Sequence, residues 1–367
     1  MKTLLEYLHE ARPYRSVYVP VMPKRPLVVA CTPQFVKEAT QWAKDSLGRP
    51  PDRFYLGGRR FPALPAARIA SAEFIRQNPD YATVIFGPKP RRMALELSLD
   101  GIENFHFSQQ PDFKNIKGRP FYFEKNRDKL SAVFHLLADD DSRLTYASVI
   151  KHRATADHGH LRMARYRQYR HPRVKPEPGD WVIDLGAANG ETSAAFAREV
   201  GRQGRVIACE PDFANVALIM GKVLAGRLLS AGQGSAKIDV IRAAVSDVSG
   251  EMGFAGGRGR SSSFDPTSAT RVPVRTLDDI ADEYRLTGPG LVSFDIEGQE
   301  LKALQGGLSM LQTLRPKLQI SIYHKREDLF SIPLWVAENL PDYRFYVGHH
   351  DCYHTETDLY CEPLDRR

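Results

Sequence analysis

Acidic side chains gather beside small residues in a few short stretches of this chain. In "VIDLGAANGETS", Asp184 ends an apolar run, and Gly186, Ala187, Ala188, Asn189 and Gly190 form a G-x-x-x-G turn before Glu191 and Thr192. Small residues let the backbone approach a ligand closely, and a helix opening behind them supplies unpaired N–H donors. A dinucleotide turn is G-x-G-x-x-G, with its second glycine making room for pyrophosphate. Ala188 occupies that position, and Asp184 would repel pyrophosphate while forming a charge-assisted bond with an ammonium group. Twenty residues past Gly190, Glu210 ends the run "RVIACE", where a carboxylate can accept both hydroxyls of a ribose. An amino acid beside a ribose describes S-adenosyl-L-methionine.

Further acidic and basic groups follow. Ser246 and Asp247, in "AAVSDVSG", could reach an adenine edge or simply form a turn. In "LVSFDIEGQE", Asp295, Glu297 and Glu300 place three carboxylates within six residues, which is costly if they are buried without partners. Asp295 and Glu297 are therefore read as functional, and Glu300 as a residue of the first helical turn, where the helix dipole favours it. "QISIYHKREDLF" presents Tyr323, His324 and Lys325 at a strand end, and His324 is the candidate to accept a hydroxyl proton. His349, His350 and His354 come near the end of the chain. A metal site from Asp295, Glu297 and a histidine is conceivable, but the spacing matches no established ligand pattern and none is assigned. Gly256, Gly257, Gly259 and Ser261 to Ser263 form a loop that could close over a substrate or be a hairpin tip.

Elements to position these groups can be read from the pattern. From Asp180 onward apolar runs alternate with helix-period segments, which indicates a mostly parallel sheet covered by helices on both faces. In such sheets ligands bind beyond the carboxyl ends of the strands. The runs are "WVIDLG", "RVIACEP", "KIDVIRAAVS", "RVPVR", "LVSFDIEG", "KLQISIYH", "YRFYVGHH" and "TDLYC", with a helix opening at Pro333. Residues 179–367 are expected to form this domain. Residues 1–123 hold a smaller α/β unit, with strands at "PLVVACT" and "YATVIFG" and a helix in "PQFVKEATQWAKDSL". Met93, Leu95, Leu97 and Leu99 follow among polar residues. The first of these strands ends in "ACTPQF", with no glycine-rich phosphate cradle.

Residues 124–178 read as a helical connector of long polar helices, stopped by Pro176, Pro178 and Gly179. Arg162, Arg165, Arg167, Arg170 and Arg173 with Tyr166, Tyr169 and His171 resemble the basic, aromatic-studded surface of nucleic-acid binders, although a solvated helix face accounts for them better. The chain has 367 residues, a net charge of +7 and four cysteines at unrelated spacings, which suggests neither a zinc site nor a disulfide framework. No apolar run approaches the ~20 residues of a membrane span. A cytoplasmic enzyme with no membrane span, able to form a homo-oligomer, fits.

With these stretches assembled, residues from about 180 to 361 resemble the FkbM family of S-adenosylmethionine-dependent methyltransferases. The resemblance lies in "VIDLGAANGETS", "ACEPDFANV", "AAVSDVSG", "SSSF", "VPVRTLDDI", "FDIEGQELKALQGG" and "LRPKLQISIYH", in that order. It implies a C-terminal seven-stranded Rossmann-like class I methyltransferase fold, with Asp184, Gly186, Asn189, Gly190 and Glu210 around the cofactor and Asp295 and Glu297 at the reacting end. The acceptor it implies is a hydroxyl of a saccharide or secondary-metabolite scaffold. The family often carries lysine two residues before the aspartate of its D-x-E-G motif; here that position is Ser293. The region before the domain looks like an accessory domain found ahead of some FkbM domains. Two other classes share part of the pattern. A nicotinamide-dependent oxidoreductase lacks an account of "DIEGQE", and an RNA methyltransferase would use the arginine stretch but lacks an N-P-P-Y strand end.

Overall fold

The structure is a computed structural model that describes residues 4, 25–59, 62–87, 90–102, 106–107, 125–155, 160–229, 234–256, 263–264, 267–351 and 355–364. The chain divides into two compact units. One comprises Met1–His135, Asp139–Gln168 and Val347–Thr357; the other comprises Leu136–Ala138, Tyr169–Tyr346 and Asp358–Arg367.

The first unit is built on a parallel sheet of β1 (Leu27–Ala30), β2 (Arg53–Tyr55), β3 (Ala82–Ile85) and β4 (His106–Phe107), in the order β2-β1-β3-β4. Every residue of β1 is buried, as expected of a parallel strand covered on both faces. Its side chains alternate between two cores: Val28 and Ala30 pack with Tyr55, Ile75 and Leu97, while Leu27 and Val29 pack with Val36, Ala39 and Ala43. Helix α1 (Val36–Leu47) follows a single turn of tighter helix at Pro33–Phe35 and ends at Gly48, which takes the left-handed conformation that favours glycine. Helices α2 (Ala72–Gln77) and α3 (Pro90–Leu99) complete this α/β layer, and Met93, Ala94 and Leu97 form the buried face of α3. Helices α4 (Arg127–Leu136) and α5 (Asp140–Thr155) follow.

The second unit carries, but for Val347–His349 and Thr357, a seven-stranded sheet of β5 (Trp181–Leu185), β6 (Arg205–Cys209), β7 (Lys237–Ile241), β12 (Gly290–Phe294), β13 (Lys317–Ser321), β14 (Tyr343–His349) and β15 (Thr357–Pro363). The remaining strands, β8 (Ala244–Val245), β9 (Gly250–Ala255), β10 (Ser263–Phe264) and β11 (Arg271–Arg275), make a separate small sheet. The large sheet runs β14-β15-β13-β12-β5-β6-β7, parallel from β7 through β13, with β15 antiparallel to β13. This is the expected Rossmann-like class I methyltransferase fold. Strand order reverses between β5 and β12, so the turns behind these two strands are neighbours, and such a switch point is where α/β sheets bind ligands. Helix α6 (Glu191–Val200) lays Phe196, Ala197 and Val200 on Val182, Val206 and Leu291, and α7 (Phe213–Leu229) and α8 (Leu277–Tyr284) follow it along the chain.

Several expectations are corrected. Leu161–Lys175 is not helical but an ordered irregular segment. Pro172 disfavours helix at His171, whose Nδ1 accepts the N–H groups of Arg173 and Val174 instead, and Gln168 donates to Glu356 across 188 residues. Arg162, Arg170 and Arg173 are paired with Asp141, Glu199 and Glu362, and His171 stacks on Tyr360, so much of the basic, aromatic stretch holds the chain together. "KIDVIRAAVS" is two strands rather than one. The chain turns at Ile241 and Ala243 and then pairs β8 with β11, leaving Ser246 and Asp247 off the end of β7. "QELKALQGGLSMLQ" forms two helices, α9 (Glu300–Gln305) and α10 (Leu308–Leu314), between which a side chain at Gly306 would overlap the Ser246 carbonyl. The helix expected to open at Pro333 is α11 (Asp328–Asn339), with Pro333 inside it. It opens earlier because Asp328 accepts the Lys325 N–H at 2.6 Å.

Leu291 is fully buried in β12 at the centre of the large sheet. Leu291→Ala is expected to lower the unfolding free energy by about 2–5 kcal/mol, read from urea denaturation, with a loss near zero meaning that the β12 core is not packed as described.

Candidate functional site

Two turns meet at the switch point. Gly186 leaves β5 with φ +81°, and a side chain there would overlap the carbonyl oxygen of Asp295. Asp295 in turn donates its N–H to the Leu185 carbonyl at 3.1 Å, extending the β5–β12 pairing into both turns. Glycine at 186 is thus required by the approach of one turn to the other.

In the first turn, the Asp184 carboxyl is buried and accepts a hydrogen bond from the Ser193 hydroxyl at 2.5 Å. Burial is the main cause that pushes it up to about 7; Ser193 opposes this, and Asp295 and Glu210 reinforce it. Ser293, the residue standing where the family often has lysine, is level with Asp184 on the adjacent strand and is buried, with no hydrogen-bond partner for its hydroxyl among the described residues. Ala187 packs with Ala208 and Ile219, and a side chain at Gly190 would press on Ile219, so these two positions serve the core under the turn. Asn189 accepts the Glu191 N–H at 3.2 Å at the start of α6.

Glu210 binds back to the same turn. One of its oxygens accepts the Ala188 N–H at 2.8 Å and the other accepts the Asp212 N–H at 2.9 Å. Ala188 has φ +46°, a conformation uncommon outside glycine, and the bond to Glu210 helps to hold it. Burial raises the Glu210 carboxyl above its usual range. Ser246 donates to Asp247 at 2.9 Å, and the pair lies on the turn after β8.

The second turn carries the acidic groups. Asp295 accepts hydrogen bonds from the hydroxyls of Tyr169 at 2.9 Å and Tyr323 at 3.2 Å. His324 Nε2 lies 3.5 Å from Asp295 Oδ1 and 3.7 Å from Glu297 Oε2. Its Nδ1 lies 2.9 Å from Glu300 Oε1, an ion pair whose geometry falls short of a well-aligned hydrogen bond. Glu300 is fully buried and also accepts the N–H groups of Ile296 and Gly298. Burial alone would lower the His324 ring, but Glu300, Asp295 and Glu297 outweigh it and push it up to about 9. Burial alone would raise Glu300, but His324 and the backbone donors outweigh it and hold it low. Burial raises Glu297.

The structure therefore brings Asp295, Glu297 and His324 together and adds Glu300, Tyr169 and Ser193, none of which the sequence reading had placed in the site. Glu300 does open α9 as expected, yet its carboxylate turns inward to His324 rather than outward. Tyr169 was read as part of a nucleic-acid-like stretch, and Ser193 carried no signal beyond its place in a helix. A carboxylate three residues after another in "IEGQE" was the one available sign of Glu300. His349 is buried against Thr357, with Nδ1 2.9 Å from Oγ1, and Tyr166 packs edge-on to His350. His354, Gly257, Gly259, Ser261 and Ser262 lie outside the described residues.

The first turn fits the cofactor read from the sequence. Asp184 is a buried carboxyl with no cation bonded to it among the described residues, suited to an ammonium group, and Glu210 closes the adjacent strand. Residues 184–346 match the family model of the methyltransferase FkbM domain. The structure of the methyltransferase FkbM from Methylobacillus flagellatus KT is similar over 98% of both chains, with 18% identity and a TM-score of 0.58, which shows a shared fold. A putative rRNA methylase from Clostridium thermocellum (15% identity, 52% of this chain, 90% of that one, TM-score 0.33) resembles it more remotely. So does Aeropyrum pernix fibrillarin in complex with S-adenosyl-L-methionine (13% identity, 52% of this chain, 70% of that one, TM-score 0.31). No curated protein sequence matches the chain. Residues 184–346 of this chain form a methyltransferase FkbM domain, and S-adenosyl-L-methionine is its cofactor.

Proposed function

We propose that the protein methylates a hydroxyl oxygen of a small-molecule acceptor, most simply a saccharide or secondary-metabolite scaffold, in the cytoplasm. The observation that supports this most is the joining, at Gly186 and Asp295, of a turn suited to the cofactor and a turn lined with proton-accepting groups. Asp184 is assigned to the cofactor's ammonium and Glu210 to its ribose, with Gly186, Ala187, Asn189 and Gly190 shaping the turn. Ser246 and Asp247 are assigned to the adenine edge. S-adenosyl-L-methionine supplies, when bound, a methyl group on cationic sulfur, whose carbon–sulfur electrons stay on sulfur as the acceptor oxygen takes the methyl and loses its proton.

The protein's own work is to align the acceptor oxygen, exclude water and receive that proton. Asp295 and Glu297, both partly exposed, orient the acceptor hydroxyl and can take the proton. His324 holds a proton at neutral pH beside three carboxylates, so it acts as the base only when that proton has been displaced. The arginine stretch gives a nucleic-acid acceptor little support, because Arg162, Arg170 and Arg173 are already paired. Among the described residues no helix is long and apolar enough to cross a membrane.

Three measurements test these assignments. Titration calorimetry should show S-adenosylhomocysteine binding and no NAD binding, and NAD binding alone would overturn the reading. Asp184 gives up its proton near 4 when unfolded but near 7 when folded, so this group subtracts stability as pH rises from about 4 to 7. Asp184→Asn should accordingly raise the melting temperature relative to wild type at pH 8 and not at pH 4, while losing affinity for S-adenosylhomocysteine; a pH-independent difference would refute the buried carboxyl. With an acceptor in hand, His324→Ala should lower kcat by about 10²–10⁴-fold, and near-normal turnover would remove His324 from the reaction.

A further inference from the structure

The cluster behind β12 and β13 gathers negative charge around one imidazole. Asp295, Glu297 and Glu300 face His324, and Asp295 also accepts hydrogen bonds from the neutral hydroxyls of Tyr169 and Tyr323. Lys325 is next in sequence, but its amine donates to the Gly298 carbonyl. Carboxylates brought together out of water need a cation to offset them.

Two buried groups point to what that cation is. Glu300 has no exposure, and its Oε2 has no hydrogen-bond partner among the described residues. The His324 side chain is 9% exposed, and its Nε2 likewise has no hydrogen-bond partner while facing the oxygens of Asp295 at 3.5 Å and Glu297 at 3.7 Å. One ligand atom from each of Asp295, Glu300 and His324 can be chosen so that all lie within 4.8 Å of one another. Donor atoms around a single ion bound at ~2.0–2.2 Å sit ~3–4 Å apart, so the three side chains must draw closer together, with one ring nitrogen of His324 turned to the ion, to share it.

We infer that Asp295, Glu300 and His324 form a binding site for a divalent metal ion, with Glu297 beside it. Two carboxylate oxygens and one imidazole nitrogen suit manganese, ferrous iron or zinc better than calcium or magnesium. The groups around the ligands are of the kind that orient a metal site: two tyrosine hydroxyls on Asp295, and the backbone N–H groups of Ile296 and Gly298 on Glu300. Three protein ligands leave coordination positions open. The ion would take the place of the proton on His324. For its role, the inference rests on the hydroxyl-methylation reading: the ion would hold the acceptor oxygen and ease the loss of its proton, which Glu297, not itself a ligand, would receive.

Whether the ion binds can be measured without the reaction. The full chain, treated with chelator and then dialysed, is titrated with Mn²⁺ alone at fixed pH and salt, and the free ion is followed by electron paramagnetic resonance. One Mn²⁺ per chain is expected, with binding at least tenfold weaker in Glu300→Gln and His324→Ala. Asp295→Asn, at a partly exposed position, gives a third variant should a buried substitution fail to fold, and circular dichroism establishes which variants are folded. Absence of binding to the wild-type chain, or binding unchanged in every folded variant, would overturn the site. Calorimetry with S-adenosylhomocysteine on the same chelated protein separates the two readings. Its binding without Mn²⁺ binding removes the metal site alone, and Mn²⁺ binding without it removes the methyl-transfer reading while the site stands.

Discussion

The approach of the β5 turn to the β12 turn is the constraint on which the site depends. Asp295 donates its backbone N–H to Leu185, and its carbonyl lies where a side chain at position 186 would be. Parallel strands that diverge into separate helices leave a crevice between their turns, and here the crevice is narrowed until the two backbones touch. Asp184, Gly186, Asn189 and Gly190, proposed for the cofactor, hang from the first turn, and Asp295 and Glu297, proposed for the acceptor, from the second. A change at this contact would therefore alter the distance between the two turns, which under the proposed function is the quantity that positioning catalysis must hold constant.

Charge is the second organising feature. Asp184, Glu210, Asp295, Glu297 and Glu300 lie along the carboxyl ends of adjacent strands, and burial raises Asp184, Glu210 and Glu297 above their usual range. Glu300 escapes this because His324 and two backbone donors hold it ionised. The protein thus tolerates poorly solvated carboxylates in the absence of ligand, a cost that cationic ligands offset when they bind. Positive φ angles at Tyr169, Ala188 and Glu297 fall in the same neighbourhood, each next to or within a group bonded to the site. Strained backbone of this kind persists where surrounding bonds over-determine it, as the Glu210 bond to the Ala188 N–H does here.

Much of this was legible from local pattern. Alternating apolar runs and helix-period segments identify the strands of the large sheet, because a strand covered on both faces must be apolar throughout and needs no partner to be recognised. Asp184, Glu210, Asp295 and His324 could be named because each sits at the end of such a run. The failures are equally local. Leu161–Lys175 has a composition compatible with helix, but its conformation is decided by bonds to residues far along the chain, such as that between Gln168 and Glu356. "KIDVIRAAVS" reads as one strand because no residue within it announces the transfer from one sheet to another.

The sequence by itself determined the strand ends, the turn residues and the inventory of ionisable groups, since these follow from side-chain type and short-range spacing. Tertiary structure alone decided which of those groups face one another. Glu300 at a helix start is an ordinary exposed residue until the chain folds His324, from the next strand, onto it; Tyr169 belongs to a basic stretch until its hydroxyl reaches Asp295, 126 residues away. The physical reason is that hydrogen bonds and ion pairs act over a few ångströms in space and carry no record in the sequence of the separation they bridge.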